Sequence, residues 1–117
     1  MPPEDRDPAL LWDMLEAARQ MRQFAGDATL EQYRNNLMLR RAVERSIEII
    51  GEAARGISKT FKASHPQIPW QPIMSQRHVL AHEYGEIDDE RIWRVVTIHA
   101  PELIRMLEPL VPPAPGH

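Results

Sequence analysis

Leu11, Leu15, Ala18 and Met21 recur three or four residues apart, the spacing that lines one face of a helix. Asp7 followed by Pro8 reads as an N-cap and a first helical position, and Gly26 supplies the stop. Thr29 with Gln32 three residues later predicts a capping box. After it Tyr33, Leu37, Val43, Ile47, Ile50, Ala54 and Ile57 mark a second apolar stripe. The pattern predicts one long helix from about Leu30 to Arg55, about 40 Å at 1.5 Å per residue. Gly51 inside it predicts a close crossing by another helix. The proline-dense segment KASHPQIPWQP forces a turn, and a third main helix is predicted to begin near Trp70 or Gln71 and to stop at Gly85. Asp88 or Asp89 then caps a last helix with the inward stripe Ile92, Val96, Leu103 and Leu107, kinked at Pro101. Trp70 and Trp93 read as core anchors, and Trp12 as a further core residue or a subunit contact.

No stretch alternates with the period of two that a strand needs, and no internal repeat is visible. The expected fold is all-α, an up-and-down antiparallel helical bundle of residues 1–110, with residues 111–117 as a flexible proline-rich tail. With 26% charged and 43% hydrophobic residues the chain has the composition of a folded domain and not of a disordered one. The absence of cysteine excludes a disulfide framework, a thiolate metal site and a cysteine nucleophile, and it fits a reducing compartment. MPPEDRDPAL has neither the charged nor the apolar segment of a secretion signal, and no apolar run approaches a membrane span, so a cytoplasmic protein without membrane contact is expected.

A net charge of −3 argues against broad adhesion to nucleic acid, but the charge is unevenly spread. Between Tyr33 and Lys62 the bases Arg34, Arg40, Arg41, Arg45, Arg55, Lys59 and Lys62 outnumber the acids. After Glu83 the balance reverses, with Glu86, Asp88, Asp89 and Glu90 in quick succession. The basic run reads first as a solvated face laced with arginine and glutamate pairs, Arg41, Glu44, Arg45 and Glu48 among them. Arg40, Arg41 and Arg45 are also candidates to border a cleft.

The segment QRHVLAHEYG gathers the groups most suited to chemistry. On a helix His78 and His82 share a face, Arg77 and Tyr84 share the adjacent one, and the long side chain of Arg77 can bend toward His82. An imidazole titrating near neutrality beside a permanent, forked cation suits cleavage of RNA. The imidazole takes the proton of the 2′-hydroxyl, and the guanidinium offsets charge building on the phosphorane. Such a reaction requires no metal and no other cofactor, and DNA lacks the nucleophile.

Arg77, His78, His82 and Tyr84 spell R-x4-H-x-Y with a polar residue after the arginine, a pattern that resembles the HEPN ribonucleases. With RAVERSIEIIGEAARGIS, HPQIPWQPI and DDERIWRVVTIHAPELI around it, the chain is similar to the HepT-like toxin family from about Arg40 to Ile104. The resemblance implies a HEPN helical bundle that forms a homodimer, with two motifs facing one RNA-cutting cleft. It implies Arg77 and His82 as the catalytic pair and His78 in a supporting place often held by asparagine. It also implies Tyr84 as the tyrosine to which a minimal nucleotidyltransferase antitoxin adds AMP, silencing the toxin. Here EYGEID lacks the aromatic that relatives usually carry between the tyrosine and the glycine, which shortens the exit from the helix.

Each of these residues has a plainer role open to it. Arg77 and His82 at this spacing also serve as solvated or helix-capping residues, and Tyr84 as an aromatic packed near a helix end. His78 and His82, four apart, are also a potential pair of zinc ligands with Glu83 or Glu86 nearby, although no further histidine or cysteine stands at a partnering interval. His65 and His99 read as surface or loop residues. The alternative to a toxin enzyme is a non-catalytic helical partner that docks a nucleotidyltransferase.

Overall fold

The computed structural model describes residues 3–80 and 89–112, with side chains from Asp5 to Ser75 and from Asp89 to Pro112. Its elements are helices joined by turns, the all-α bundle expected. The first, α1 (Asp7–Ala25), buries Leu11, Met14, Leu15, Ala18 and Met21 and ends at Gly26, whose φ of 50° is a backbone region that favours glycine. Asp7 does not cap this helix. A 3₁₀ turn (Pro3–Arg6) already coils the chain ahead of it, and Arg6 occupies the cap position in a helical conformation. The Asp7 carboxylate instead reaches across the fold. Its two oxygens accept from the Ser58 backbone N–H at 2.8 Å and from Ser58 Oγ at 2.7 Å. Ser58 Oγ in turn accepts from Phe61 N, capping α4 (Lys59–Ser64).

The long second helix of the sequence reading is two helices, α2 (Leu30–Arg34) and α3 (Leu37–Gly56). The capping box at Thr29 and Gln32 opens α2 as expected. Asn35 and Asn36 then interrupt the ladder. Asn35 Nδ2 donates to Glu31 O alongside the Asn35 backbone N–H, and Asn36 Oδ1 accepts from Leu39 N at 3.0 Å, so the first side chain reinforces the end of α2 and the second caps the start of α3. The restart resets the helical phase. Tyr33, Val43, Ile47, Ile50, Ala54 and Ile57 are buried, but Leu37 is 63% exposed and Met38 84%. Leu37 therefore does not belong to the inward stripe, and the 20 residues of α3 span about 30 Å instead of 40.

Helix α5 (Trp70–Leu80) begins where the prolines release the chain, with Trp70 Nε1 donating to His65 O at 3.0 Å and its ring meeting Phe61 edge to face. It packs on α3. A Cβ placed on buried Gly51 would stand 3.5 Å from Ile73 O, an ordinary contact, so the expected crossing exists without being tight enough to require glycine. The start of α5 lies near α4, beyond the C-terminal end of α3. Asp89, which follows α5 in the chain, meets Arg40 near the N-terminal end of α3. The two helices therefore run antiparallel.

The last long segment comprises α6 (Asp89–Arg94), a π-helical turn (Val95–His99) and α7 (Ala100–Leu107), with Ile92, Val96, Leu103 and Leu107 all buried. Pro101 explains the π turn. Ala100 N bonds to Val95 O, five residues back, and the next bond of that series would need the N–H that proline lacks. The donor comes from another helix: Arg22 Nη1 of α1 lies 3.3 Å from Val96 O. Helix α1 packs along both α3 and α7, and Leu110 and Val111 also pack against the core. Residues 113–117 lie outside the described residues. No helix among the described residues is long and apolar enough to cross a membrane.

Because Asp7 and Ser58 are both buried, Asp7→Ala leaves two donors without a partner. Urea unfolding should show a loss of about 2–4 kcal/mol. Asp7→Asn, which keeps one acceptor, should recover part of it.

Candidate functional site

The backbone of α5 carries Arg77 one turn beyond Ile73 and His78 one turn beyond Met74. Ile73 is buried at the Gly51 crossing, and Met74 packs partly against the core with its sulfur 3.5 Å from Lys62 Nζ. The root of the motif helix is thus seated on α3 and α4. His82, Tyr84, the predicted stop at Gly85 and the alternative cap Asp88 lie outside the described residues. The chain is described again from Asp89, the first residue of α6.

Asp89 enters a cluster drawn from three helices. Arg40 of α3 places Nη2 3.3 Å from Asp89 Oδ1, and Arg34 of α2 places Nε 3.8 Å from Oδ2. Arg34 Nη2 also lies 3.5 Å from Glu90 Oε1. Arg40 Nη1 donates to Arg34 O at 3.2 Å, taking up a carbonyl at the end of α2 next to the Asn35–Asn36 break. Beneath them Tyr33 is fully buried, its ring 5.0 Å from that of Trp93 in α6, with the Arg40 guanidinium 5.9 Å from the Tyr33 centroid. The Arg34 pairs are exposed and each contributes about 0–1 kcal/mol. The Arg40–Asp89 pair is better shielded, with side chains 26% and 18% exposed.

Two atoms in this cluster make no hydrogen bond: Tyr33 Oη, and Asp89 Oδ1, which faces Arg40 as an ion pair without hydrogen-bond geometry. Burial pushes the Tyr33 phenol up to about 12, and the carboxylates of Glu44 and Asp89 add to the rise against the opposing pull of Arg40 and Arg41. The rest of the basic run is a paired, solvated face. Arg41 holds Glu44 at 3.1 Å and Arg45 holds Glu48 at 3.4 Å, each three residues on.

In the sequence Arg40 stands out only within the basic run and among three cleft-bordering bases, and Asp89 only as a possible cap within the acidic run. The signal for their union was the reversal of charge, since the acids after the motif are what the bases before it hold. The other histidines occupy modest places. His65 ends α4 with its ring 4.2 Å from that of Phe61. His99 is exposed at the end of the π turn, on the rim of an apolar cavity of about 190 Å³ that Glu102 also borders. Among the described residues no three histidines or carboxylates gather to hold a metal ion. Trp70 is buried and Trp93 and Trp12 are partly buried against the core.

Compared with known proteins, residues 14–110 match the family model described as ribonuclease HepT-like. A protein of Methanocaldococcus jannaschii, provisionally named an RNase, is 37% identical over 100 residues, covering 86% of this chain and 92% of its own. A second from that organism, named in the same way, is 33% identical over 103 residues, 88% of this chain and 85% of its own. A protein of Thermococcus cleftensis, named a probable ribonuclease HepT, is 34% identical over 100 residues, 86% of this chain and 91% of its own. No solved structure gives a significant match.

The raised Tyr33 pKa links stability to alkaline pH. Between about pH 10 and 12 the unfolded chain gives up a phenolic proton that the folded chain keeps. The contribution is therefore complete below about pH 10 and is lost as pH rises through about 12, a fall of about 2–3 kcal/mol. Tyr33→Phe removes a hydroxyl that has no partner, so unfolding in urea should give near wild-type stability at neutral pH and a shallower decline toward about pH 12.

Proposed function

Because the chain belongs to the HepT-like ribonuclease family, we propose that it is the toxin component of a HEPN/minimal-nucleotidyltransferase toxin-antitoxin system and cuts RNA internally without a metal ion. The observation that carries this reading is the extent of the family match, residues 14–110, which takes in the whole R-x4-H-x-Y motif. The relatives named as ribonucleases align over 86% of this chain.

In this mechanism the substrate supplies the nucleophile. His82 accepts the 2′-hydroxyl proton as the oxygen attacks the adjacent phosphorus, and an imidazolium returns a proton to the departing 5′-oxygen. Arg77 forks onto the non-bridging oxygens, where charge grows in the transition state. His78, one residue after Arg77 on α5, supports the phosphate. Two copies of the chain form the working unit, so that two motif helices face one cleft. Tyr84 is the off switch. A cognate nucleotidyltransferase links AMP to its phenol, and the new phosphodiester places negative charge and bulk beside Arg77, where it competes with the RNA phosphate.

Purified protein in excess chelator should cleave RNA. His82→Ala should lower kcat about 10²- to 10⁴-fold and Arg77→Ala about 10²- to 10³-fold, with unfolding transitions near wild type. Co-expression with the nucleotidyltransferase should add adenylate mass and abolish cleavage, and Tyr84→Phe should keep cleavage while taking up no such mass. A stable complex of the two proteins without cleavage by either form would replace this reading with that of a non-catalytic partner.

A further inference from the structure

We infer that Arg40 is a positioning residue of this site, acting through Asp89 to fix the point at which the chain passes from the motif into α6. The inference rests on the reading of Arg77 and His82 as the reacting pair. The motif has two ends. Its upstream end is seated by Trp70 and Ile73 against α4 and α3. Its downstream end is described from Asp89, where Arg40 forms the better shielded of two arginine pairs, the other being that of Arg34.

One guanidinium makes three connections. Nη1 holds the Arg34 carbonyl at 3.2 Å, Nη2 faces Asp89 Oδ1 at 3.3 Å, and the Cζ atom lies 5.9 Å from the centroid of Tyr33, whose ring meets Trp93 of α6. Helices α2, α3 and α6 therefore converge on a single side chain. A lysine cannot reproduce this, because its ammonium is one point charge on a flexible stem and not a planar fork. The arrangement also separates Arg40 from its neighbours as an RNA contact. Its side chain is 26% exposed, against 65% for Arg41 and 67% for Arg45. Arg40 belongs to the frame of the site, and its loss should be felt as misalignment of the reacting groups, for which a displacement of about 1 Å costs on the order of 100-fold.

The test is a double-mutant cycle of Arg40→Ala and Asp89→Asn on RNA cleavage, with amide hydrogen exchange of residues 81–94 measured in parallel. Each single variant should lower kcat about 10- to 100-fold with KM within about twofold of wild type. The double variant should be no worse than the poorer single, because both remove the same tie. Arg40→Lys, which keeps the charge and the fold, should recover little of kcat. Exchange in residues 81–94 should quicken at least about fivefold in Arg40→Ala while that of α1 stays unchanged. A rise in KM at constant kcat, or additive effects in the cycle, would overturn the inference by making Arg40 an RNA contact. If the wild-type protein fails to cleave RNA, the ribonuclease reading falls, and unchanged exchange in Arg40→Ala would then overturn the tie as well.

Discussion

Two adjacent asparagines govern the layout of this protein. With Asn35 doubling the last bond of α2 and Asn36 capping the first turn of α3, the chain stops one helix and starts another within two residues. The stop frees the Arg34 carbonyl, and the restart brings Arg40 round to meet it. Tyr33 is left at the hinge of the two helices, deep enough to pack on Trp93. A continuous helix through this point would carry Arg34 and Arg40 on faces about 120° apart, at 100° per residue. The break lets both reach the same carboxylate. In the chain the motif segment runs between the α3–α5 crossing at Ile73 and that carboxylate.

The features that were legible in the sequence are those decided within a few residues. The capping box at Thr29 and Gln32, the glycine stop at Gly26, the start of α5 after the prolines and the stripe from Ile92 to Leu107 all follow from local pattern. The break at Asn35 and Asn36 was equally local but was hidden by coincidence. Tyr33 and Leu37 stand four apart, the spacing of a continuous face, although only Tyr33 turns inward. Asp7 misled for the opposite reason. An aspartate before proline has an obvious local use, whereas its actual partner, Ser58, is 51 residues away and nothing local names it.

The candidate site is suggested by spacing and family resemblance, whereas the Arg40–Asp89 pair beside it had no such signal. A charge reversal along the chain was visible, yet that Arg40 rather than Arg41 or Arg45 would reach the acidic run depends on how α3 is rotated once the helix has restarted. The same rotation sends Arg41 and Arg45 into pairs along their own helix. Equal sequence signals thus divide into a tertiary tie and a solvated face.

The meeting of Arg22 with Val96 has a bearing on how the bundle chooses its alignment. Apolar stripes are forgiving, and α1 and α7 slid past each other by one turn, about 5.4 Å, would still set leucine and methionine against leucine. A carbonyl to which Pro101 offers no donor is less forgiving, because a slide of one turn would take it away from the Arg22 guanidinium that it now meets. The proline that costs the last helix a bond thereby favours, among near-equivalent ways of filling the core, the alignment in which Arg22 meets Val96.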